Sequence, residues 1–215
     1  MSLVPERLAR STRGGLAPIA RRLHALGVTA NAVTIAGFVV TVAGAALLAS
    51  GQPGPALVVL LLGTLSDTLD GQIARVAGGG TRFGAFLDST LDRLSDAALA
   101  TAAIYLGAAI FDPRSLLPTG ATAYILFWSG LTLLVGSFLV SYIRAKAESL
   151  GETASVGVAP REGRIAIYLL GVAAWAVTGN VQLFTAAVVV AALLATITVI
   201  QRIAHMAKTL SEKKG

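Results

Sequence analysis

Four aspartates have the residue type and spacing of a metal site, in a chain that is 55% hydrophobic and only 13% charged. Asp67 and Asp70 are three residues apart and Asp88 and Asp92 are four apart, so each pair shares one face of a helix. Carboxylates gathered in apolar surroundings repel one another unless cations neutralise them. Oxygen ligands without cysteine suit Mg²⁺, Mn²⁺ or Ca²⁺. Two such cations about 3.5–4 Å apart form a clamp for phosphoryl chemistry.

Two glycines and an arginine are in register with these acids. Gly71 and Arg75 follow Asp67 at four-residue intervals, and Gly84 precedes Asp88 by one helical turn. Arginine supplies a fixed positive charge for phosphate, and glycine lets a bulky group approach the backbone. The alternative interpretation is a set of unrelated acids at helix ends that face water, and the shared register argues against it.

The whole segment resembles a known signature. Its pattern DxxDGxxAR, eight residues, then GxxxDxxxD is similar to that of the CDP-alcohol phosphotransferases, with every fixed position filled. The resemblance implies a homodimeric membrane enzyme with six transmembrane helices, which displaces CMP from a CDP-linked lipid with an alcohol. It also implies that Asp67, Asp70 and Asp88 bind two Mg²⁺ ions, or Mn²⁺ instead. Asp92 would be the general base and would also contact the second metal. Metal ligation alone is the competing interpretation for Asp92.

The resemblance also indicates where the nucleotide of the lipid donor binds. A segment ahead of the first apolar run is similar to the family's Thr-Pro-Asn-x-x-Thr element, with Ala30 in place of the proline. The predicted CDP-diacylglycerol site comprises Asn31, Ala32, Val33, Thr34, Gly71, Arg75 and Thr81. For Thr29 and Asn31, a simple helix cap is the alternative interpretation.

Composition places the chain in a membrane. Six apolar segments predict an all-α polytopic protein with six transmembrane helices. They run over about 31–50, 56–76, 81–109, 122 to beyond 143, 163–177 and 183–203. The arginine-rich segment before them, with apolar residues at helical spacing, predicts an amphipathic helix on the membrane surface. A targeting peptide is the alternative. The predicted organisation is a juxtamembrane segment (1–28), a six-helix domain (29–207) and a basic tail (208–215).

The basic residues indicate orientation and partners. With both termini in the cytoplasm, 15 of the 17 lysines and arginines lie on that side, and only Arg114 lies opposite. The site then lies near the cytoplasmic face of the cell membrane. The net charge of +6 fits anionic lipid headgroups and phosphorylated substrates rather than nucleic acid, since no soluble basic domain is present. Arg93 lies inside the third span, where an ion pair with Asp96 is expected and a supporting role at the metal site is the alternative.

Basic residues late in the chain bear on the acceptor. Ser141 and Arg144 share a helix face, Arg164 begins the fifth span, and Arg202 closes the sixth. Arginines from three helix ends on the same membrane face as the metals favour an acceptor that carries phosphate. Ordinary cytoplasmic loop charge is the alternative for any one of them. This arrangement resembles the actinobacterial members of the family that make phosphatidylinositol phosphate, which implies inositol 1-phosphate as acceptor.

Two other functions compete with this assignment. Glycerol 3-phosphate as acceptor would need a similar phosphate pocket and would give phosphatidylglycerophosphate. A divalent-cation transporter is a rival from another class, because acids within a membrane also mark ion pathways. Transport predicts acids near the midplane on broken helices. Here the acids lie close to one end of their spans. They also lie beside the positive charge of Arg75, which gives a permeating cation no stabilisation.

Overall fold

The computed structural model describes residues 6–109 and 120–212, with side chains described for residues 16–108 and 120–212. All regular structure in these ranges is helical, which confirms the predicted all-α class. The helices are α1 (Glu6–Ala25), α2 (Ala30–Ala49), α3 (Pro53–Val76), α4 (Arg82–Ala109), α5 (Ala121–Ser149), α6 (Arg161–Thr178) and α7 (Val181–Glu212). Arg114, the one basic residue predicted on the far side, lies outside the described residues.

Several helix boundaries differ from the prediction, and two of the differences have a simple cause. Helix α3 begins at Pro53 rather than near residue 56, because proline is accommodated in the first turn, where no backbone N–H is needed. Helix α7 continues beyond residue 207 to Glu212, through a stretch that contains good helix formers such as alanine, methionine and lysine. Arg202 therefore lies inside α7 rather than at its end.

Four helices in the described part of the chain are long and apolar enough to cross a membrane: α2, α3, α5 and α7. Helices α4 and α6 are not in this group because they carry more charged residues. Every 18-residue stretch of α4 contains at least three charged residues, and α6 carries Arg161, Glu162 and Arg164 in its first turn. Many large apolar side chains on the long helices are exposed, among them Val58, Leu61 and Leu62 of α3, as lipid contact requires. The protein is a membrane protein.

The described residues fall into two compact units, with the boundary between Leu99 and Ala100. In the first unit, α2 and α3 form an antiparallel hairpin whose backbones approach closely through small residues. A Cβ atom added at Gly37 would lie 2.8 Å from Ser66 Cβ, and one at Gly44 would lie 2.7 Å from Leu60 Cδ2. Close packing through small residues is a common means of helix association in membranes.

The second unit contains α5, α6, α7 and the end of α4. Helix α5 packs on α7 at Gly136, where an added Cβ would lie 3.0 Å from Ala195 Cβ. Helices α6 and α7 form a hairpin in which the rings of Tyr168 and Phe184 meet edge to face, with centroids 5.1 Å apart. Residues 150–160 join α5 to α6 without helix or strand, and they pack along α7 through contacts considered below.

Candidate active site

Three of the four predicted metal aspartates converge in the first unit. Asp67 and Asp70 come from the last turns of α3, and Asp88 comes from the second turn of α4. Each offers a carboxylate oxygen, and these oxygens all lie within 4.8 Å of one another. Asp70 is buried and is repelled by the charges of Asp67 and Asp88. A triplet of anionic oxygens at this spacing fits a hard divalent cation such as Mg²⁺ or Mn²⁺. Asp92, one turn further along α4, is not part of this triplet.

The glycines between α3 and α4 allow the acids to meet. Gly78 and Gly79 have φ values of 92° and 123°, which residues with a Cβ rarely adopt. The chain therefore turns back sharply after α3, so that the start of α4 returns to the level of Asp70.

Asp70 is held by a residue from a third helix. The hydroxyl of Thr34, in the first turn of α2, donates a hydrogen bond to Asp70 Oδ2 at 2.7 Å. The same hydroxyl lies 3.0 Å from the carbonyl oxygen of Ala30, but its single hydrogen serves the shorter contact to the carboxylate. Thr34 was predicted from the sequence to contact the nucleotide, and this link to the metal cluster was missed.

Two threonines cap helices at the edge of the site. Thr29 is the N-cap of α2 and accepts a hydrogen bond from Ala32 N at 3.2 Å, so the cap interpretation of Thr29 is confirmed. Thr81 accepts a hydrogen bond from Gly84 N at 2.9 Å and caps α4. A Cβ atom at Gly84 would lie 3.0 Å from Asn31 Oδ1, so the motif glycine makes room for the Asn31 side chain.

The acids border a cavity of about 480 Å³ formed by the end of α1, the start of α2, the end of α3 and the start of α4. Mostly apolar walls with a few polar groups are typical of ligand pockets. The predicted site residues that line it are Asn31, Thr34, Asp70, Gly71, Thr81 and Asp88. A Cβ atom at Gly71 would meet nothing within 4 Å, so this motif glycine opens onto the cavity rather than serving packing.

The remaining predicted residues of this region lie outside the cavity wall. They are Ala32, Val33, Asp67, Arg75 and Asp92. Arg75 lies in the last turn of α3 and is exposed. His24, at the end of α1, does line the cavity, although no role was predicted for it. Helical periodicity in α1 could place it on a face but could not show which face meets α3.

The second unit brings the predicted arginines together. Arg164 and Arg202 are 4% and 7% exposed, which is unusual for arginine. Arg202 lies near enough to Arg144 and Arg164 to be repelled by their charges, so arginines from α5, α6 and α7 share one region of this unit. Arg144 itself is exposed and forms an ion pair with Glu148, with Nε and Oε1 2.9 Å apart, a partner that was missed from the sequence.

The two buried arginines bind backbone carbonyls. Arg202 donates from Nε to Val156 O at 3.0 Å and from Nη1 to Val140 O at 2.5 Å. Arg164 donates from Nη1 to Ala159 O at 2.9 Å. Ser141, the fourth residue of the predicted acceptor site, directly follows Val140 on α5 and is half-buried. Arg202 thus uses two of the five N–H donors of a guanidinium in these contacts.

Comparison with known proteins agrees with this geometry. The family model for CDP-alcohol phosphatidyltransferase matches residues 27–208. A phosphatidylinositol phosphate synthase of Mycobacterium marinum is 41% identical over 155 residues, which cover 72% of this chain and 62% of that protein. An archaetidylinositol phosphate synthase of Pyrococcus horikoshii is 35% identical over 193 residues, which cover 89% of this chain and 90% of that protein. The matched segment thus spans less than two thirds of the mycobacterial relative.

Solved structures extend the likeness to the fold. The phosphatidylinositol phosphate synthase of Mycobacterium tuberculosis with CDP-DAG bound has a TM-score of 0.76 and 34% identity, covering 87% of this chain and 91% of that one. The same enzyme in complex with manganese and citrate has a TM-score of 0.77 and 34% identity, covering 87% of both chains. By its sequence, its fold and its cluster of motif aspartates, the chain belongs to the CDP-alcohol phosphatidyltransferase family.

Proposed function

We propose that the protein transfers the phosphatidyl group of CDP-diacylglycerol to inositol 1-phosphate, releasing CMP and forming phosphatidylinositol phosphate. The observation that carries this proposal is the carboxylate triplet of Asp67, Asp70 and Asp88, of which Asp70 and Asp88 line the cavity. Family membership supports the displacement of CMP. The names of the bacterial and archaeal relatives both contain inositol phosphate, which supports the acceptor.

The triplet, together with Asp92, would hold two Mg²⁺ or Mn²⁺ ions. A related structure that contains manganese supports this choice of metal. Two such ions offset the negative charge of a diphosphate and make its phosphorus more open to attack. The chain's own contribution is to hold the carboxylates in place. The Thr34 hydroxyl orients Asp70 by a hydrogen bond. This bond also favours the charged carboxylate, which burial and the repulsion of neighbouring acids disfavour.

Asp92 is proposed as the general base. As the acceptor hydroxyl oxygen forms a bond to the β-phosphorus of the donor, the hydroxyl proton passes to the Asp92 carboxylate. The bond from that phosphorus to the CMP oxygen breaks at the same centre, and CMP leaves with the bonding electrons. The position of Asp92 outside the triplet supports a role towards the acceptor rather than pure metal ligation.

The cytidine diphosphate of the donor would lie in the cavity of the first unit. Gly71 leaves its backbone open to the ligand, and Asn31 and Thr81 present polar groups on the wall. Arg75, exposed at the end of α3, supplies positive charge for the diphosphate. Ala32, Val33 and Thr34 complete the proposed donor site as backbone and side-chain neighbours of Asn31.

The acceptor phosphate would be bound by Arg144, Arg164 and Arg202, with Ser141 beside them. Mutually repelling guanidinium groups are stabilised by an anion placed among them, and arginine binds phosphate through two N–H donors at once. Arg144 would exchange its exposed partner Glu148 for the phosphate, because an exposed ion pair of this kind is weak.

We further propose that α2 to α7 all cross the cell membrane of a homodimeric protein, with both termini and the active site at the cytoplasmic face. The charges of α6 lie in its first turn, and those of α4 lie at or before its middle, with Arg93 and Asp96 inside the proposed span. The rest of each helix is apolar and would lie within the bilayer. Residues 1–28 would lie on the membrane surface, residues 29–207 would form the catalytic domain, and residues 208–215 would form a basic tail. The excess of basic residues on one side supports this orientation.

The acceptor is tested by CMP release from CDP-diacylglycerol by the purified protein, offered inositol 1-phosphate, inositol and glycerol 3-phosphate in turn. We expect turnover with inositol 1-phosphate alone, since free inositol lacks the group that the arginines bind. Equal turnover with glycerol 3-phosphate would overturn the acceptor assignment. The archaeal relative's name denotes an archaetidyl product. The assay is therefore repeated with a CDP-linked archaetidyl donor, and faster turnover with it would overturn the diacylglycerol assignment.

A further inference from the structure

The connection between α5 and α6 is bound to α7 by a row of polar side chains. Thr198, Gln201, Arg202 and His205 follow one another at spacings of three, one and three residues, which places them on one face of α7. The rest of α7 is largely apolar. Residues 150–160, which we call the α5–α6 strap, lie against it.

The contacts run in opposite order along the two segments, so the strap is antiparallel to α7. They are His205 Nε2 to Thr153 O at 3.2 Å, Arg202 Nε to Val156 O at 3.0 Å, Val158 N to Gln201 Oε1 at 2.9 Å and Ala159 N to Thr198 Oγ1 at 3.4 Å. Side chains of α7 thus satisfy the backbone of a segment that has no regular structure to do so.

The strap lies close to the helix. Ala154 is 1% exposed and packs with Ala147 and Met206. Gly157 has a φ of 141°, and a Cβ atom there would collide with Thr198 Cγ2. Only glycine readily adopts this φ and also leaves the space beside Thr198 free. The strap therefore fits closely on α7 in a single register.

The strap also supplies the carbonyl oxygens that hold two of the arginines. Arg202 donates to Val156 O, and Arg164 donates to Ala159 O. Val158 lies between these two carbonyls, and its amide is the one that Gln201 holds. A shift of the strap at Val158 therefore moves the anchors of both guanidinium groups together.

We propose that Gln201 is a positioning residue for the acceptor phosphate: by holding Val158 N–H, it fixes the strap and thereby the guanidinium groups of Arg164 and Arg202. This inference rests on the proposed function, in which these arginines bind that phosphate. The hydrogen bond from Val158 N to Gln201 Oε1 is exposed, so water can replace Gln201 as the partner of this amide. The loss of Gln201 should then displace the strap without unfolding the protein.

The test compares purified Gln201→Leu with Gln182→Leu, a matched change at an exposed position in the first turn of the same helix. In Gln201→Leu we expect the acceptor KM to rise about three- to tenfold, the effect of one ordinary hydrogen bond. We expect kcat at saturating acceptor and the KM for CDP-diacylglycerol to stay within twofold of the Gln182→Leu values. Hydrogen exchange of the strap amides, residues 153–159, should be faster in Gln201→Leu only.

Gly157→Ala displaces the strap by a different route and should give the same split between acceptor KM and donor KM. Faster exchange of the strap with an unchanged acceptor KM would overturn the proposal, as would unchanged exchange or an equal loss of donor affinity. The proposed function fails separately: if Arg202→Ala binds the acceptor normally, the phosphate does not lie at these arginines, whatever Gln201 does to the strap.

Discussion

Thr34 at the start of α2 donates a 2.7 Å hydrogen bond to Asp70 near the end of α3, a contact between residues 36 positions apart. It joins the two segments that resemble the family signature, the short polar element before the first span and the aspartate motif. Asp70 is the most buried acid of the triplet and is repelled by its two neighbours. The hydroxyl therefore orients a carboxylate whose charge is otherwise disfavoured.

Replacing Thr34 by valine should lower metal affinity and turnover, because the side-chain volume is kept while the hydrogen bond to Asp70 is lost. A hydrogen bond to a charged group contributes about 1.5–3 kcal/mol, which corresponds to roughly ten- to hundredfold. The measurement is the Mg²⁺ concentration for half-maximal activity. Thr41→Val is the control, since the Thr41 hydroxyl bonds to a carbonyl of its own helix. Equal metal requirements in the two variants would contradict the role of Thr34.

Asp92→Asn should lose most of its turnover while it binds CDP-diacylglycerol nearly as well as the unmutated protein. The reason is that a general base acts on the acceptor hydroxyl rather than on the donor. The measurements are kcat and, separately, the equilibrium binding of CDP-diacylglycerol in the presence of Mg²⁺. If donor affinity falls together with the rate, Asp92 is chiefly a metal ligand and the base lies elsewhere.

Arg164→Lys and Arg202→Ala should raise the apparent KM for the acceptor by about ten- to hundredfold and leave that for CDP-diacylglycerol almost unchanged. Lysine keeps the charge but loses the planar set of donors. Acceptor titration at saturating donor measures the effect. Arg161→Lys, in the first turn of α6, is the matched control for general membrane charge. Normal acceptor saturation in both test variants would remove the main support for a phosphorylated acceptor.

The number of spans can be tested with single cysteines, because the natural chain contains none. Ser155→Cys lies in the α5–α6 strap, and Gln182→Cys lies at the start of α7, both at exposed positions. If α6 crosses the membrane, these sites lie on opposite faces, and a membrane-impermeant maleimide applied to intact cells labels only Gln182→Cys. If only α2, α3, α5 and α7 cross, both sites lie on the same face. Labelling of both from outside would contradict the six-span topology.

The sequence was sufficient for the triplet of Asp67, Asp70 and Asp88, because spacing places acids on one face of a helix and the family signature joins the two helices, although it also placed Asp92 with them. It was also sufficient for the convergence of the arginines, since basic residues recurred at the same ends of three predicted spans. Contacts that depend on how one helix packs on another were not accessible in this way. Hydrophobic periodicity defines the buried face of a helix but not its register against a neighbour.

Three observations depend on such packing between segments. They are the hydrogen bond from Thr34 to Asp70, the position of His24 in the cavity wall and the position of the strap on α7. For the strap, a signal was present in the sequence: Thr198, Gln201, Arg202 and His205 form a polar row in an apolar helix. Of these four residues only Arg202 was predicted as a site residue, because it carries a fixed charge, whereas Thr198 and Gln201 act through uncharged hydrogen bonds. Backbone groups in a segment without regular structure need hydrogen-bond partners. A row of polar side chains on an apolar helix indicates that such a segment packs against it.

The most direct test of the central claim is the metal dependence of the complete reaction. Purified protein with CDP-diacylglycerol and inositol 1-phosphate should form no product in excess EDTA. Mg²⁺ added beyond the chelator should restore the formation of CMP and phosphatidylinositol phosphate in equal amounts. Asp88→Asn should remain inactive after Mg²⁺ is added, because the triplet then lacks one of its three charges. Product formation at the full rate in excess EDTA would contradict the account.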